Sequence, residues 1–193
     1  MNWLALTSYV FVTTFTPGPN NIMSMTNANR FGLRKTMRFN HGVFAGFIVI
    51  MLLCSYLSLA LSGLLPRFRL VMSVVGAAYM LYLAAKVVMS KGDGGSHGDE
   101  GLNSFWAGLG LQFLNPKVIM YGITVISNFV LPYSHSQALL VLVAVLLAFV
   151  GFVSTTCWSL FGVIFQRLLA SYRRPFNVVM GLLLVYCAVS VFQ

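Results

Sequence analysis

Acidic residues are almost absent from this 193-residue chain, which has only 3 Asp and Glu against 12 Lys and Arg. Charged residues make up 8% of it, whereas a typical soluble domain has about 25%. So few charges cannot cover a soluble domain of this length, and they also exclude a disordered chain. Because 59% of the residues are hydrophobic, the sequence predicts an all-α polytopic membrane protein embedded in a lipid bilayer.

The missing carboxylates also limit the chemistry. All three acidic residues lie between residues 93 and 100, outside every apolar run. Intramembrane aspartyl proteases and carboxylate proton relays need acidic residues inside the spans, so neither is expected. The H-E-x-x-H, G-x-S-x-G and P-loop motifs are absent as well. We therefore expect no enzyme, no catalytic residues and no cofactor.

Cysteine is equally scarce. Cys54, Cys157 and Cys187 lie far apart in apolar stretches, with neither C-x-x-C spacing nor the even number that a disulfide framework needs. They are predicted to be buried free thiols, and no metal site is expected. The net charge of +9 does not predict nucleic-acid binding, because the basic residues flank apolar runs as orientation charges do in membrane proteins.

Six apolar runs predict six transmembrane helices. Residues 90–101, SKGDGGSHGDEG, form the one hydrophilic stretch, and their composition predicts a flexible linker. The linker separates a first three-helix repeat, 1–89, from a second, 102–193. The runs cover residues 3–28, 42–65, 70–88, 102–130, 138–165 and 176–192.

The distribution of Lys and Arg residues between the loops predicts the orientation of the chain in the membrane. With the N-terminus outside, the cytoplasmic loops carry nine basic residues, and the opposite orientation places only Arg67 and Arg69 inside. Both termini are therefore predicted to be periplasmic. A repeat of three spans reverses the chain's side of the membrane, so the two repeats are inverted relative to each other, as in many secondary transporters.

Proline interrupts the first helix of each repeat. Pro17, Gly18 and Pro19 lie within span one, and Pro116 lies near the middle of span four. Proline removes a backbone donor, and the freed backbone groups are tolerated at membrane depth only where protein or a water-filled cavity meets them. Helices 1 and 4 are therefore predicted to be broken, with oppositely charged half-helix ends near the bilayer centre. A zwitterionic ligand carries a positive and a negative group, so a site that binds it needs both kinds of helix end.

Polar residues beside these interruptions are the candidate binding residues. Lys117 is a cation near mid-membrane, where it costs about 2.5–3.5 kcal/mol. It is predicted either to anchor an anionic group or act as a gate residue, or else to be held by backbone carbonyls at a structural break; its depth argues against snorkelling to an interface. Asn20, Asn21 and Asn115 are candidates for ligand binding and equally for helix capping, and Gln112 has the same standing. His41, at the start of span two, is a candidate proton relay, although a solvated histidine is the simpler interpretation. Close helix contact is predicted at Gly42-x-x-x-Gly46.

These motifs resemble the lysine exporter (LysE/RhtB) family of amino-acid exporters. The resemblance rests on Thr16-Pro17-Gly18-Pro19-Asn20 near the N-terminus and on Asn115-Pro116-Lys117 after a central linker. It covers essentially the whole chain. Three further stretches are similar to the cysteine/O-acetylserine exporter branch: Phe105-Trp106-Ala107, Cys157-Trp158 with Phe165-Gln166-Arg167-Leu168, and Leu183-Leu184-Val185-Tyr186-Cys187-Ala188-Val189.

The resemblance implies efflux of small neutral amino acids across the bacterial inner membrane, with cysteine and O-acetylserine as preferred substrates. We expect alternating access, with Lys117 and half-helix N-termini holding the carboxylate and half-helix carbonyls holding the ammonium. A passive amino-acid channel and a non-transporting membrane subunit are the alternatives. The sequence leaves the exact substrate, the coupling ion and a homo-oligomeric state open.

Overall fold

The described part of the chain consists of helices joined by short turns, with no strand among its residues. A computed structural model describes residues 3–60, 65–89, 101–134, 136–164 and 172–190. Across these ranges the all-α prediction is confirmed. Apart from Gly101, the predicted linker 90–101 lies outside them, as does Phe165-Gln166-Arg167-Leu168. The α-helices are α1 (Trp3–Phe15), α2 (Pro19–Phe31), α3 (Leu33–Ala60), α4 (Leu65–Val88), α5 (Phe105–Phe113), α6 (Pro116–Val125), α7 (Gln137–Ile164) and α8 (Arg173–Ser190).

Several of these helices have the length and composition of membrane spans. Leu33–Tyr56 and Gln137–Ile164 are each long and apolar enough to cross a bilayer. A third crossing of sufficient length arises if α5 and Pro116–Val130, which are bent by 62° relative to each other, are taken as one span. Three shorter apolar helices are Trp3–Phe15, Ser73–Val88 and Arg174–Ser190. Such helices belong to a polytopic membrane protein, whereas the count of six spans stays a prediction.

Apolar side chains cover the outside of the bundle. On α7, Leu142, Leu146 and Phe149 lie on one helix face, and each is more than half exposed at 54–56%. A soluble protein would bury such a face or use it for binding, whereas in a bilayer it meets lipid.

Helix α2 has the opposite character, because its buried face is polar. Ser24 Oγ donates a hydrogen bond to Asn40 Oδ1 of α3 at 2.9 Å, and Asn40 Nδ2 donates to Ser159 Oγ of α7 at 3.0 Å. All three side chains are fully buried. Ser159 Oγ in turn donates to Ser24 O at 3.4 Å, so hydrogen bonds to both α3 and α7 hold α2 inside the bundle. Its other buried polar residues are Asn20, Asn21, Thr26 and Asn27.

Glycines let α3 and α5 approach closely. A Cβ at Gly42 would collide with the Phe105 carbonyl of α5, and a Cβ at Gly46 would lie 2.7 Å from Leu109 O. From the other side, a Cβ at Gly108 would collide with Phe39 O. The predicted close contact at Gly42-x-x-x-Gly46 is therefore confirmed, and it fixes α5 against the long helix α3.

The helix boundaries fall at the prolines that the sequence singled out. Helix α2 begins at Pro19 with Gly18 as N-cap, and α6 begins at Pro116 with Asn115 as N-cap. Proline suits the first helical position because its fixed φ is already helical and its missing N–H would have no intrahelical partner there. Helices α1 and α5 end at Phe15 and Phe113, a few residues earlier. That each pair crosses the membrane as one broken span stays a prediction.

Candidate functional site

The chain is interrupted before α2, at Pro17-Gly18-Pro19, and before α6, at Pro116, and three amide side chains link these two interruptions. We call Asn20, Gln112 and Asn115 the amide cluster. Asn20 Nδ2 donates to Gln112 Oε1 at 2.8 Å, and Gln112 Nε2 donates back to Asn20 Oδ1 at 3.1 Å. Asn115 Nδ2 donates to the same Asn20 Oδ1 at 3.0 Å. All three side chains are at most 9% exposed. Three of the five predicted substrate-binding residues therefore lie together, although more than 90 residues separate Asn20 from the other two.

The two helix N-termini differ in how they are capped. Asn115 Oδ1 accepts a hydrogen bond from the backbone N–H of Lys117 at 3.1 Å and so caps α6. Gly18, the N-cap of α2, has no side chain to do the same. The first backbone N–H groups of α2 therefore receive no side-chain cap from Gly18. This end of the helix carries the partial positive charge of a helix N-terminus.

Side chains from other elements bind the carbonyl groups at the end of α1. Asn21 Nδ2 donates to Thr14 O at 2.9 Å and to Thr16 O at 3.0 Å. Helix α7 contributes Ser154, whose Oγ donates to Thr14 O at 3.0 Å, and Trp158, whose Nε1 donates to the carbonyl of the last α1 residue at 3.2 Å. Carbonyls that have no partner within α1 are thus bonded from α2 and α7.

Lys117 reaches across from α6 to this same chain segment. Its Nζ donates to Thr16 O at 3.2 Å, to Thr16 Oγ1 at 3.0 Å and to Pro17 O at 3.2 Å. The ammonium group is therefore held largely by backbone carbonyls where the helix is interrupted, which is one of the arrangements that the sequence left open. The partial negative charge at the C-terminal end of α1 stabilises it there.

A cavity open on one side lies between the two interruptions. Four of the five predicted binding residues line it, namely Asn20, Asn21, Asn115 and Lys117, together with Gly18. Gln112 is fully buried and is linked to this wall through its hydrogen bonds with Asn20. The uncapped start of α2 and the ammonium group of Lys117 therefore face one small space.

Two hydroxyl groups on the cavity wall complete the site. Thr14 and Tyr121 are neighbours there, yet neither hydroxyl forms a hydrogen bond of standard geometry with any residue in the described part of the chain. Both oxygens are buried close to each other, so each hydroxyl is a candidate partner for the other and for a polar group that enters the cavity. Sequence reasoning did not give Thr14, Ser154 or Thr155 any role. The one available signal was the cluster of hydroxyl residues Ser154-Thr155-Thr156, with Ser159 nearby, inside a largely apolar run.

His41 does not belong to this cluster. Its Nδ1 lies 2.6 Å from Met37 O on its own helix, and its exposed ring is tilted against Phe152 with 5.3 Å between centroids. The role as a proton relay stays a prediction. All three cysteines are free thiols, as predicted; Cys54 and Cys187 are buried, whereas Cys157 is only partly buried. In the ranges that the structure covers, no three His, Cys, Asp or Glu residues are close enough to hold a metal ion.

Comparison with known proteins gives matches over nearly the whole chain. A family model described as LysE type translocator matches residues 11–193. The chain is 44% identical over 187 residues to the cysteine/O-acetylserine efflux protein of Klebsiella pneumoniae subsp. pneumoniae, covering 97% of this chain and 95% of that protein. It is 42% identical over 192 residues to the protein of the same name from Escherichia coli strain K12, covering 97% and 96%. No solved structure gives a significant match.

Proposed function

Because the chain belongs to the LysE type translocator family, we propose that it exports cysteine and O-acetylserine across the bacterial inner membrane. The observation that carries this proposal is its likeness, over nearly its full length, to bacterial efflux proteins named for these two substrates. Membership of a translocator family also confirms the prediction of a transporter rather than an enzyme.

The proposed architecture is six spans in two inverted repeats, 1–89 and 102–193, joined by the linker 90–101. Laying Gly18-Pro19 over Asn115-Pro116 aligns N-cap with N-cap and first-turn proline with first-turn proline, which supports a common origin for the two interruptions. Helix α3 packs against α7, and α4 packs against α8. Each of these pairs joins a helix to its counterpart in the other repeat, and helices beside a two-fold axis in the membrane plane make such contacts.

The proposed orientation places both termini in the periplasm. Nine Lys and Arg residues then lie towards the cytoplasmic side of the membrane and only two towards the periplasmic side. The K/R bias of loops sets the orientation of membrane proteins.

The proposed substrate site is the cavity between the interruptions. A carboxylate there would meet the uncapped N-terminus of α2 and the ammonium group of Lys117. The substrate's ammonium would meet the carbonyls at the end of α1, while the amide cluster and Asn21 hold the two interruptions in place. The two repeats would then rock around this site to open it to either side in turn.

Transport by purified protein in reconstituted vesicles tests this proposal. We expect saturable transport of labelled cysteine and O-acetylserine, and faster efflux of labelled substrate when unlabelled substrate is present on the far side. Labelled lysine serves as the comparison substrate, and vesicles without protein as the blank. Transport of other amino acids without these two would contradict the substrate assignment. Flux that neither saturates nor accelerates by exchange would contradict alternating access and favour a passive channel.

A further inference from the structure

The ammonium group of Lys117 occupies a cradle of three oxygens. Thr16 O, Thr16 Oγ1 and Pro17 O each accept one of its hydrogen bonds, at 3.0–3.2 Å. An –NH₃⁺ group has three donors and no acceptor, so three oxygens satisfy it completely. Thr16 Oγ1 donates its own proton to Thr13 O at 3.1 Å, which leaves its lone pairs for the ammonium. We call these three oxygens the ammonium cradle.

The ammonium cradle lies at the edge of the cavity. Thr16 and Pro17 are exposed but do not themselves line the cavity, whereas the neighbouring Gly18 and the cradled Lys117 do. Glycine leaves room there, since a Cβ at Gly18 would lie 3.0 Å from Lys117 Nζ. An ammonium group entering the cavity could therefore reach the same oxygens, but only if the lysine leaves them.

No carboxylate in the described part of the chain balances the charge of Lys117, because that part contains no Asp or Glu. The chain's three acidic residues all lie in the hydrophilic stretch between residues 93 and 100, and the hydrogen bonds of Nζ go to two carbonyls and a hydroxyl. Hydrogen bonds between two charged partners are shorter and stronger than those to neutral acceptors. A carboxylate that enters the cavity is thus a better partner for Lys117 than the cradle is.

We propose that the ammonium cradle is the subsite for the substrate's primary ammonium group, and that Lys117 fills it while the site is empty. This inference rests on the proposed export of amino acids. When an amino acid binds, its ammonium takes the three oxygens and Lys117 turns to the carboxylate of the same molecule. The exchange leaves each charge with a partner, so both substrate charges are needed.

This exchange predicts how incomplete substrates behave. Cysteamine has the ammonium and thiol of cysteine but no carboxylate, so it expels Lys117 without offering that charge a new partner. The compound 3-mercaptopropionate has the carboxylate and thiol but no ammonium, so it draws Lys117 away and leaves the cradle empty. Both should bind wild-type protein much more weakly than cysteine does.

The decisive experiment measures the binding of cysteine and cysteamine to purified wild-type protein and to Lys117→Met. The Met variant has no ammonium competing for the cradle and no cation for the carboxylate. We expect it to bind cysteamine about tenfold more tightly and cysteine about tenfold more weakly than wild type, changes of about 1.4 kcal/mol in opposite directions. Lys86→Met, which removes a lysine from the last turn of α4, is the matched control and should change neither affinity.

Other outcomes would overturn the inference. Unchanged cysteamine affinity in Lys117→Met would mean that the lysine does not compete for the subsite. If the folded Lys117→Met variant bound neither cysteine nor cysteamine, Lys117 would only support the structure. If Lys117→Met does not fold, Lys117→Gln tests the same opposite changes with a neutral side chain. Failure of wild-type protein to transport cysteine would contradict the proposed function instead, because the cysteamine gain is measured by binding alone.

Discussion

Replacing Asn20 by leucine should destabilise the protein through the partners that it leaves behind. Gln112 Oε1 loses its donor, and Asn115 Nδ2 loses its acceptor, while the leucine keeps most of the volume. Each buried polar group left without a partner costs about 1–3 kcal/mol, so Asn20→Leu should lower stability by about 2–6 kcal/mol. Gln112→Met leaves only Asn20 Nδ2 unpaired and should cost about 1–3 kcal/mol.

The double variant gives the sharper test. With Asn20→Leu and Gln112→Met together, Asn115 Nδ2 is the one amide-cluster group left unpaired, and the cost should fall to about 1–3 kcal/mol. The second substitution should therefore restore stability that the first removed. Thermal unfolding of purified protein in detergent measures this, and Asn29→Leu, which breaks a single hydrogen bond to the Gly162 carbonyl, is the control at about 1 kcal/mol. If the stability losses of the two single variants simply add up in the double variant, the coupling between Asn20 and Gln112 is refuted.

Three further predictions concern orientation and close packing. A reporter active only in the cytoplasm, fused after Gln193, should stay silent, and a strong signal would reverse the proposed topology. Gly42→Ala should lower the melting temperature, because the new Cβ meets a carbonyl of α5. Gly110→Ala, which has open space around its Cβ, should raise stability by about 0.5–1 kcal/mol. Equal effects of the two substitutions would contradict the packing argument. Gly18→Ala should reduce cysteine export in vesicles at normal expression, because the new Cβ crowds Lys117 Nζ. Undiminished export would mean that Lys117 has no role in transport.

Proline was the most useful signal in the sequence. It singled out Asn20, Gln112 and Asn115 as neighbours of interrupted helices, and the structure brings their side chains within hydrogen-bonding distance. The motifs around these prolines also predicted the family, which the matching family model confirms. Both results follow from local chemistry, because proline limits backbone geometry at its own position whatever the rest of the fold does.

The partners of Lys117 could not be read in the same way. Its ammonium binds mainly carbonyls about 100 residues earlier in the chain, and every residue has a carbonyl. Ser154 and Trp158 were missed as ligands of the α1 carbonyls for the same reason. Which carbonyls lack a helical partner depends on where each helix ends, and which side chains reach them depends on how the helices pack.

Helix α2 has a consequence for how the protein is made. Its polar residues emerge from the ribosome early, but Asn40, Leu102, Ser159 and Gly162, which supply hydrogen-bonding partners for α2, are synthesised later. Until then the polar side chains of α2 would have no partners in lipid, where unsatisfied polar groups are costly, so we expect α2 to stay in the translocon. The N-terminal segment should therefore complete its insertion only after α7 has been synthesised, so a nascent chain arrested before residue 137 should keep α2 in contact with water.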